Sequence, residues 1–161
     1  VFLGAGAMGE ALMRGLLDAK VCAPHEIIAY DAATARLQSL ADELGIRAAQ
    51  NAEDAVREAS TIVVAVKPQI VGAVLEPLRR VLTSEQTLVS IAAGVSSAQL
   101  ESYFDAPVPV VRVMPNTPAL VGASASALSA GTHAQPGHVE AARQIFGATG
   151  LAIEVPESQM D

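Results

Sequence analysis

Tryptophan is missing from this 161-residue sequence, and aromatic residues of all kinds make up only 3% of it. Basic residues are scarce too, since ten lysines and arginines face seventeen acidic residues and the formal net charge is −7. A nucleic-acid interface needs clustered positive charge and aromatic side chains on which bases can stack. Because the sequence lacks both, we expect no nucleic-acid partner.

Cysteine occurs once, at Cys22, so an intrachain disulfide is excluded. The three histidines form neither an HExxH pattern nor a Cys/His cluster, and we expect structural roles for His133 and His138 and no metal. The longest strongly apolar run, residues 61–66, is far shorter than the roughly 20 residues of a membrane span. We therefore expect no membrane partner and a reducing, cytoplasmic setting.

The mass of 16.5 kDa fits one domain, residues 1–161. Hydrophobic residues make up 51% of the chain and alanine occurs 31 times, which favours close packing of helices on a sheet. No basic region precedes the apolar start, so we expect no signal peptide. Because the chain opens on Val1 inside a strand pattern, we interpret it as part of a longer protein.

Short β-branched runs alternate with helical patterns along the whole chain. Strands are predicted at residues 1–3, 27–30, 46–49, 61–66, 87–91, 108–113, 124–129 and 151–155. Helices are predicted from about 9 to 19, over 33–44, after Asn51, from 68 to about 82, from 96 or 97 to 103, and over 136–146. Pro109 indicates an edge strand or a strand start. This order predicts an α/β fold, a Rossmann-type doubly wound, mainly parallel sheet with helices on both faces.

Residues 4–9 read GAGAMG and match the GxGxxG pattern, placed between the first strand and the first helix. In that position Gly4 allows a tight turn, and Gly6 leaves room for a pyrophosphate. Gly9 lets the helix pack closely on the strand. The pattern predicts a dinucleotide site, with a merely tight turn as the alternative.

Asp31 ends the second predicted strand, 22 residues after Gly9. A carboxylate there accepts hydrogen bonds from both ribose hydroxyls of an adenosine and repels a 2′-phosphate, which favours NAD(H) over NADP(H). Thr34 and Arg36 follow closely and offer groups for a phosphate. The alternative is that Asp31 is an ordinary helix-start residue.

Three further segments carry a family resemblance: AVKPQ at 65–69, SIAAGV at 90–95 and RVMPNTP at 112–118. Together with GAGAMG and with GTH at 131–133, they closely resemble pyrroline-5-carboxylate reductase over essentially the whole chain. The resemblance implies an NADPH- or NADH-dependent oxidoreductase. Such an enzyme reduces the cyclic imine 1-pyrroline-5-carboxylate to L-proline, the last step of proline biosynthesis.

The resemblance and the glycine motif together predict a set of residues that bind NADP or NAD. They are Leu3, Gly4, Ala5, Gly6, Ala7, Met8, Gly9, Asp31, Asn51, Ala65, Val66, Lys67, Pro68, Ile91, Ala92 and Ala93. For Asn51 a helix N-cap is an equal alternative. Lys67 is expected to support the turn or the cofactor rather than to act as an acid. The MPNTP loop either shapes the nicotinamide pocket or is simply structural, with Asn116 bonding to backbone. No catalytic residue is predicted in this chain.

In the resembled family a helical second domain follows, forms the dimer and binds the substrate carboxylate. This chain ends at Asp161, about where that domain should begin. The resemblance therefore implies a cofactor-binding half that is inactive and weakly associating alone, and an intact protein that is a homo-oligomer. Two alternatives remain: the cofactor domain of another hydroxyacid-type or deazaflavin-linked dehydrogenase, and a nucleotide-binding module without activity of its own.

Overall fold

A computed structural model describes residues 1–116 and 123–160, and in these the chain alternates between eight strands and six α-helices. The strands are β1 (Phe2–Leu3), β2 (Ile28–Tyr30), β3 (Arg47–Ala48), β4 (Thr61–Val64), β5 (Thr87–Ser90), β6 (Val110–Met114), β7 (Ser124–Ala130) and β8 (Gly150–Glu154). The helices are α1 (Ala7–Asp18), α2 (Thr34–Leu44), α3 (Ala52–Arg57), α4 (Val71–Leu75), α5 (Ser97–Glu101) and α6 (Pro136–Gly147).

All eight strands belong to one sheet with the order β3-β2-β1-β4-β5-β6-β7-β8. Neighbours from β3 to β6 run parallel, β7 is antiparallel to β6, and β8 is parallel to β7. The order of the strands reverses between β1 and β4, which is the topological switch point where ligands bind in such sheets. The predicted Rossmann-type, mainly parallel fold is confirmed.

Alternate residues of the central strands point to two separate cores. On one face, Phe2 of β1 and Val63 of β4 pack with apolar residues of α1, α2 and α6. On the other face, Leu3 and Val64 pack with Val56 of α3 and with residues of α4 and α5. Because both faces are covered, the central strands are mostly apolar, with Thr87, Ser90 and Arg112 as buried polar exceptions in β5 and β6.

The predicted helix from residue 68 to about 82 is wrong. The segment instead forms a 3₁₀ turn at Pro68–Ile70, the short helix α4, and a second 3₁₀ turn at Glu76–Leu78. Pro77 has no N–H to donate to the preceding turn, and its ring crowds the carbonyl four residues back. The apolar periodicity continues past this proline, but the hydrogen-bond ladder does not.

Two predictions about β6 have different outcomes. Pro109 lies directly before the strand, as a strand-start proline does, and its carbonyl accepts a hydrogen bond from the Leu88 N–H at 2.8 Å. The alternative of an edge strand is wrong, because β6 lies between β5 and β7. Beyond β6, the Asn116 side chain accepts a hydrogen bond from the Ala125 N–H at 3.0 Å, which confirms its predicted bond to backbone. Thr117 and Pro118 of the MPNTP segment lie outside the described residues.

Candidate functional site

The carboxyl ends of four adjacent strands meet in register at one edge of the sheet. Leu3 is paired with Tyr30 on one side and with Val64 on the other, and Val64 is paired with Ser90. The next residue of each strand continues the ladder: the Gly4 N–H donates to the Tyr30 carbonyl at 2.8 Å. This alignment brings the glycine-rich turn and the residues after β2, β4 and β5 to one crevice.

The turn after β1 requires glycine at two of its positions. Gly4 has a φ of +107°, and a Cβ there would lie 2.5 Å from the Ala65 carbonyl oxygen. A Cβ on Gly9 would overlap the Gly4 carbonyl oxygen. Both glycines therefore allow the turn and α1 to pack closely against the end of β4.

Gly6 differs from these two glycines, because its φ is −66° and no atom lies within 4 Å of the position a Cβ would take. The fold itself does not demand glycine there. Gly6 precedes α1, a 12-residue helix, and the first backbone N–H groups of a helix attract anions. The open space in front of Gly6 is thus room for a group from outside the chain.

A cavity of about 590 Å³ opens beside this turn, between β1, β2, α3 and the segment around α4. Its lining consists of Leu3, Gly4, Tyr30, Asp31, Ala32, Asn51, Ala52, Glu53, Asp54, Val66, Ile70, Ala73, Val74 and Pro77. Five of the predicted cofactor residues are among them, namely Leu3, Gly4, Asp31, Asn51 and Val66. The volume is in the range of small-molecule and cofactor sites.

The Asp31 carboxylate links the glycine-rich turn to the segment before α2, at the edge of the cavity. One oxygen of its carboxylate accepts a hydrogen bond from the Ala5 N–H at 2.7 Å, and the other accepts from the Ala33 N–H at 2.8 Å. The first bond fixes the glycine-rich turn and the second orients the chain before α2. An ionised carboxylate has about four acceptor positions, so two remain for a ligand. Asp31 is a helix-start residue, and it also lines the cavity.

Asn51 caps α3. Its side-chain oxygen accepts a hydrogen bond from the Asp54 N–H at 2.8 Å, and its side-chain nitrogen donates to the Asp54 carboxylate at 2.7 Å. The predicted N-cap is confirmed. Since Asp31, Glu53 and Asp54 all line the cavity, the polar part of its wall carries carboxylates, which disfavour a further negative charge.

The remaining predicted residues lie at the same edge but not in the lining of this cavity. Ala5 is buried, and Ala65 contacts the turn from the end of β4. Lys67 is exposed, at the N-cap of the 3₁₀ turn that begins with Pro68. Ile91, Ala92 and Ala93 follow β5, with Ala92 buried and Ala93 exposed.

The sequence prediction missed one wall of the cavity. Ile70, Ala73, Val74 and Pro77 line it, and Ile70 is 47% exposed although it is apolar. Their spacing of i, i+3, i+4 and i+7 is that of one face of a helix. This spacing was visible in the sequence, and it would have indicated an apolar face turned toward the crevice.

A smaller cavity of about 290 Å³ lies between α1 and α2, lined by Ala7, Glu10, Ala11, Arg14 and Arg36. Of the predicted residues only Ala7 borders it. Arg36 extends toward α1 and forms an ion pair with Glu10 at 2.9 Å. Over residues 1–116 and 123–160, no cluster of three His, Cys, Asp or Glu residues is arranged to hold a metal ion. In the same part of the chain, no helix is long and apolar enough to span a membrane.

The sheet order and the glycine-rich turn at the switch point define a Rossmann-type α/β fold. The family model described as "NADP oxidoreductase coenzyme F420-dependent" matches residues 1–94, which include β1 to β5. The chain belongs to this family.

Within that class, several similar proteins are named pyrroline-5-carboxylate reductase. A pyrroline-5-carboxylate reductase of Methanosarcina acetivorans is 43% identical over 160 residues, which are 99% of this chain and 59% of the relative. The structure of a pyrroline-5-carboxylate reductase from Coxiella burnetii matches with a TM-score of 0.92 and 31% identity, over 99% of this chain and 59% of that one. The resemblance stated from the sequence motifs is confirmed.

A third similar protein is the pyrroline carboxylate reductase of Plasmodium falciparum, whose crystal structure was solved with NADP bound. It matches with a TM-score of 0.87 and 29% identity, over 99% of this chain and 58% of that one. The chain thus spans about three-fifths of the length of the relatives it matches.

Proposed function

We propose that this chain is the NAD(P)H-binding part of an oxidoreductase that reduces 1-pyrroline-5-carboxylate to L-proline, the last step of proline biosynthesis. The observation that carries the proposal is the glycine-rich turn, open at Gly6 and tied by Asp31 to the mouth of a cavity of about 590 Å³. The names of the relatives, which match this chain over nearly its whole length, support the substrate.

The proposed cofactor site keeps the residues predicted from the sequence. It comprises Leu3, Gly4, Ala5, Gly6, Ala7, Met8, Gly9, Asp31, Asn51, Ala65, Val66, Lys67, Pro68, Ile91, Ala92 and Ala93. The residues present fit an NAD(P)H molecule in two respects. The space in front of Gly6, at the start of α1, suits a pyrophosphate, and the cavity beside Asp31 suits an adenosine.

Each part of this site has a distinct task. The N–H groups at the start of α1 bind the pyrophosphate, and the two open acceptor positions of Asp31 bind ribose hydroxyls. The apolar wall at Ile70, Ala73 and Val74 would hold the adenine ring. Residues after β4 and β5 extend the crevice toward the nicotinamide, with exposed Lys67 at its rim.

The bound nicotinamide supplies a hydride to the carbon of the substrate's C=N bond. A protonated imine nitrogen already draws electrons from that carbon, so the reaction depends chiefly on position. This chain's contribution is to hold the cofactor in one orientation at the edge of the sheet. We assign no proton donor and no substrate-binding residue to it.

The proposal extends to the whole protein. Residues 1–161 form one dinucleotide-binding domain, and a helical second domain provides the substrate site and a homo-oligomer interface in the intact protein. The substrate is a small molecule, neither nucleic acid nor membrane is a partner, and the protein is cytoplasmic. The acidic composition argues against a nucleic-acid partner, and the single cysteine supports a cytoplasmic location.

The test uses the 161-residue chain and a chimera that joins it to the remaining two-fifths of the Methanosarcina acetivorans relative. We expect the chain to bind NADPH and NADH weakly, measured by the change in their fluorescence, and to show no turnover of 1-pyrroline-5-carboxylate. The chimera is expected to reduce that imine. A chain that binds neither dinucleotide, or a folded chimera without imine reduction, contradicts the proposal.

A second candidate is an oxidoreductase that passes hydride between NADP and coenzyme F420, and the description of the matching family model favours it. The same chimera distinguishes the two functions. Reduction of coenzyme F420 by NADPH, without reduction of the imine, would support this second candidate. We place it behind the first because relatives that are 43% and 31% identical over 99% of this chain are named pyrroline-5-carboxylate reductases.

A further inference from the structure

The charged residues between α1 and α2 form a small network in which Glu10 is the shared partner. One carboxylate oxygen of Glu10 lies 2.9 Å from Arg14, and the other lies 2.9 Å from Arg36. Arg14 also contacts Glu43 at 2.8 Å. Arg14 therefore has two acidic partners, whereas the recorded ion pair of Arg36 is with Glu10.

This network lies next to the proposed cofactor site. The Glu10 N–H donates to the Gly6 carbonyl at 2.9 Å, so Glu10 sits one turn after the open position of the glycine-rich turn. Arg36 is in the first turn of α2, shortly after Ala33, whose N–H is held by Asp31. The Glu10–Arg36 pair and the Asp31 bond to Ala5 thus bridge the same two segments.

Arg36 is the one lysine or arginine in residues 31–44, the part of the chain that follows the proposed ribose site. A phosphate on the ribose 2′ oxygen carries up to two negative charges and calls for a guanidinium. Arg36 belongs to the right segment to supply it, but its side chain is turned toward Glu10. Glu10 adds a further negative charge beside the site.

We propose that Glu10 is a specificity-determining positioning residue, which holds Arg36 in an ion pair and so lowers affinity for dinucleotides that carry a 2′-phosphate. This inference rests on the proposed dinucleotide site. The discrimination is graded rather than absolute. Arg36 is half exposed, and ion pairs of this kind contribute little net free energy, so a phosphate dianion competes for Arg36.

The test is a set of four variants of the 161-residue chain: Glu10→Gln, Arg36→Ala, the double variant, and Glu43→Gln as control. Glu43→Gln removes the same charge from the same network but leaves the Glu10–Arg36 pair in place. Dissociation constants are measured for NADPH and NADH. Adenosine 2′,5′-bisphosphate and AMP serve as a second pair of probes that lack the nicotinamide.

We expect Glu10→Gln to raise affinity for NADPH about three- to tenfold, with the affinity for NADH unchanged. The gain should shrink at high salt because charge interactions are screened. In the double variant most of this gain should be lost. Such a loss would show that Glu10 acts through Arg36 rather than by repelling the phosphate directly. Glu43→Gln should leave the ratio of the two affinities as it is.

An unchanged ratio in Glu10→Gln overturns the inference, and so does a gain of equal size in the Arg36→Ala background. The bisphosphate and AMP must give the same answer as the dinucleotides. Circular dichroism checks that each variant is folded, and the three substituted side chains are all partly exposed. Failure of the wild-type chain to bind any dinucleotide would instead contradict the proposed function, so the two failures are distinct.

Discussion

The two ends of the sheet differ in what they present to their surroundings. At the end formed by β3, β2 and β1, glycines and a carboxylate bonded to backbone shape an open cavity, and the exposed Ile70 belongs to its wall. At the opposite end, the outer strand β8 exposes Leu151 and Ile153, which are 62% and 48% accessible. The first end holds an open cavity, and the second is a sheet edge with an apolar surface.

The second end has its own polar anchor, distant in sequence from the glycine-rich turn. Glu157 accepts hydrogen bonds from the Ser97 N–H at 2.7 Å and the Ser97 hydroxyl at 3.0 Å. Arg112 of β6, 2% exposed, lies 3.4 Å from the same oxygen. Burial alone would raise the pKa of Glu157, but the bonds from Ser97 and Arg112 outweigh it and hold that pKa below its usual range.

We therefore expect the polar side chains at the two ends to affect different properties. The polar side chains that line the cavity bond to nearby backbone groups, and changes to them should alter dinucleotide binding. The polar groups at Glu157 bond to a helix start and to a buried cation, and changes there should alter stability alone. Four variants test this separation.

Gly4→Ala should have the largest effect, because the new Cβ would lie 2.5 Å from the Ala65 carbonyl at a φ of +107°. We expect a loss of about 2–4 kcal/mol in the free energy of unfolding. Dinucleotide binding should also be lost. Urea denaturation and NADPH titration measure the two effects.

The control for this variant is Gly94→Ala, since Gly94 has a φ of +72° and no atom within 4 Å of the added Cβ. It should lose about 1–2 kcal/mol through backbone strain alone, with binding retained. Equal losses in both variants would contradict the view that close packing makes Gly4 special.

Asp31→Ser should change the choice of cofactor. Removing the carboxylate takes away a repulsion on a 2′-phosphate and weakens the bonds to ribose hydroxyls, so relative affinity should move about tenfold toward NADPH. Asp42→Ser, which removes the same charge at a residue bonded to Gln38, is the matched control. If titration gives the wild-type ratio for Asp31→Ser, then Asp31 is a helix-start residue and nothing more.

Many features of the sheet end that contains the cavity could be predicted from local sequence signals. The strand-turn-helix position of GAGAMG, Gly45 at the end of α2 with a φ of +71°, and Asn51 before α3 each depend on neighbours in sequence. The broken helix at Pro77 was missed because apolar periodicity is insensitive to the loss of one N–H. The cofactor residues themselves stay a prediction.

Other features depend on contacts between distant segments. The Glu10–Arg36 pair joins residues 26 positions apart, and nothing in either local sequence indicates it. The reversed direction of β7 is likewise set by its pairing with β6 and β8, since its alternating small residues suit either direction. Sequence patterns report local geometry and burial, and they do not report which side chains meet across an interface.

Glu157→Gln should lower the free energy of unfolding by about 1–2 kcal/mol at neutral pH, because Ser97 and Arg112 lose a charged acceptor. A lowered pKa in the folded state gives stability above the unfolded pKa, which disappears as the pH falls through the folded value. The difference from wild type should therefore begin to shrink near the unfolded pKa of about 4.3 and vanish only below the lower folded value. Denaturation curves across this range check it, and a difference that persists in acid would contradict it.

Leu151→Lys should have the smallest effect. The side chain is largely exposed on the outer strand, so the free energy of unfolding should change by less than about 0.5 kcal/mol and NADPH affinity should stay the same. Sedimentation should show less self-association at high concentration, because a lysine discourages pairing along a strand edge. A weaker affinity for NADPH would show that the two ends of the sheet are coupled.

In the proposed function, a dinucleotide lies in the space in front of Gly6. The most direct test titrates NADPH and NADH into the 161-residue chain and into Gly6→Ala. The added methyl meets no atom of the protein, so stability should change by at most about 1 kcal/mol. Affinity for both dinucleotides should fall at least about tenfold. Undiminished affinity in a stably folded Gly6→Ala chain would contradict the account.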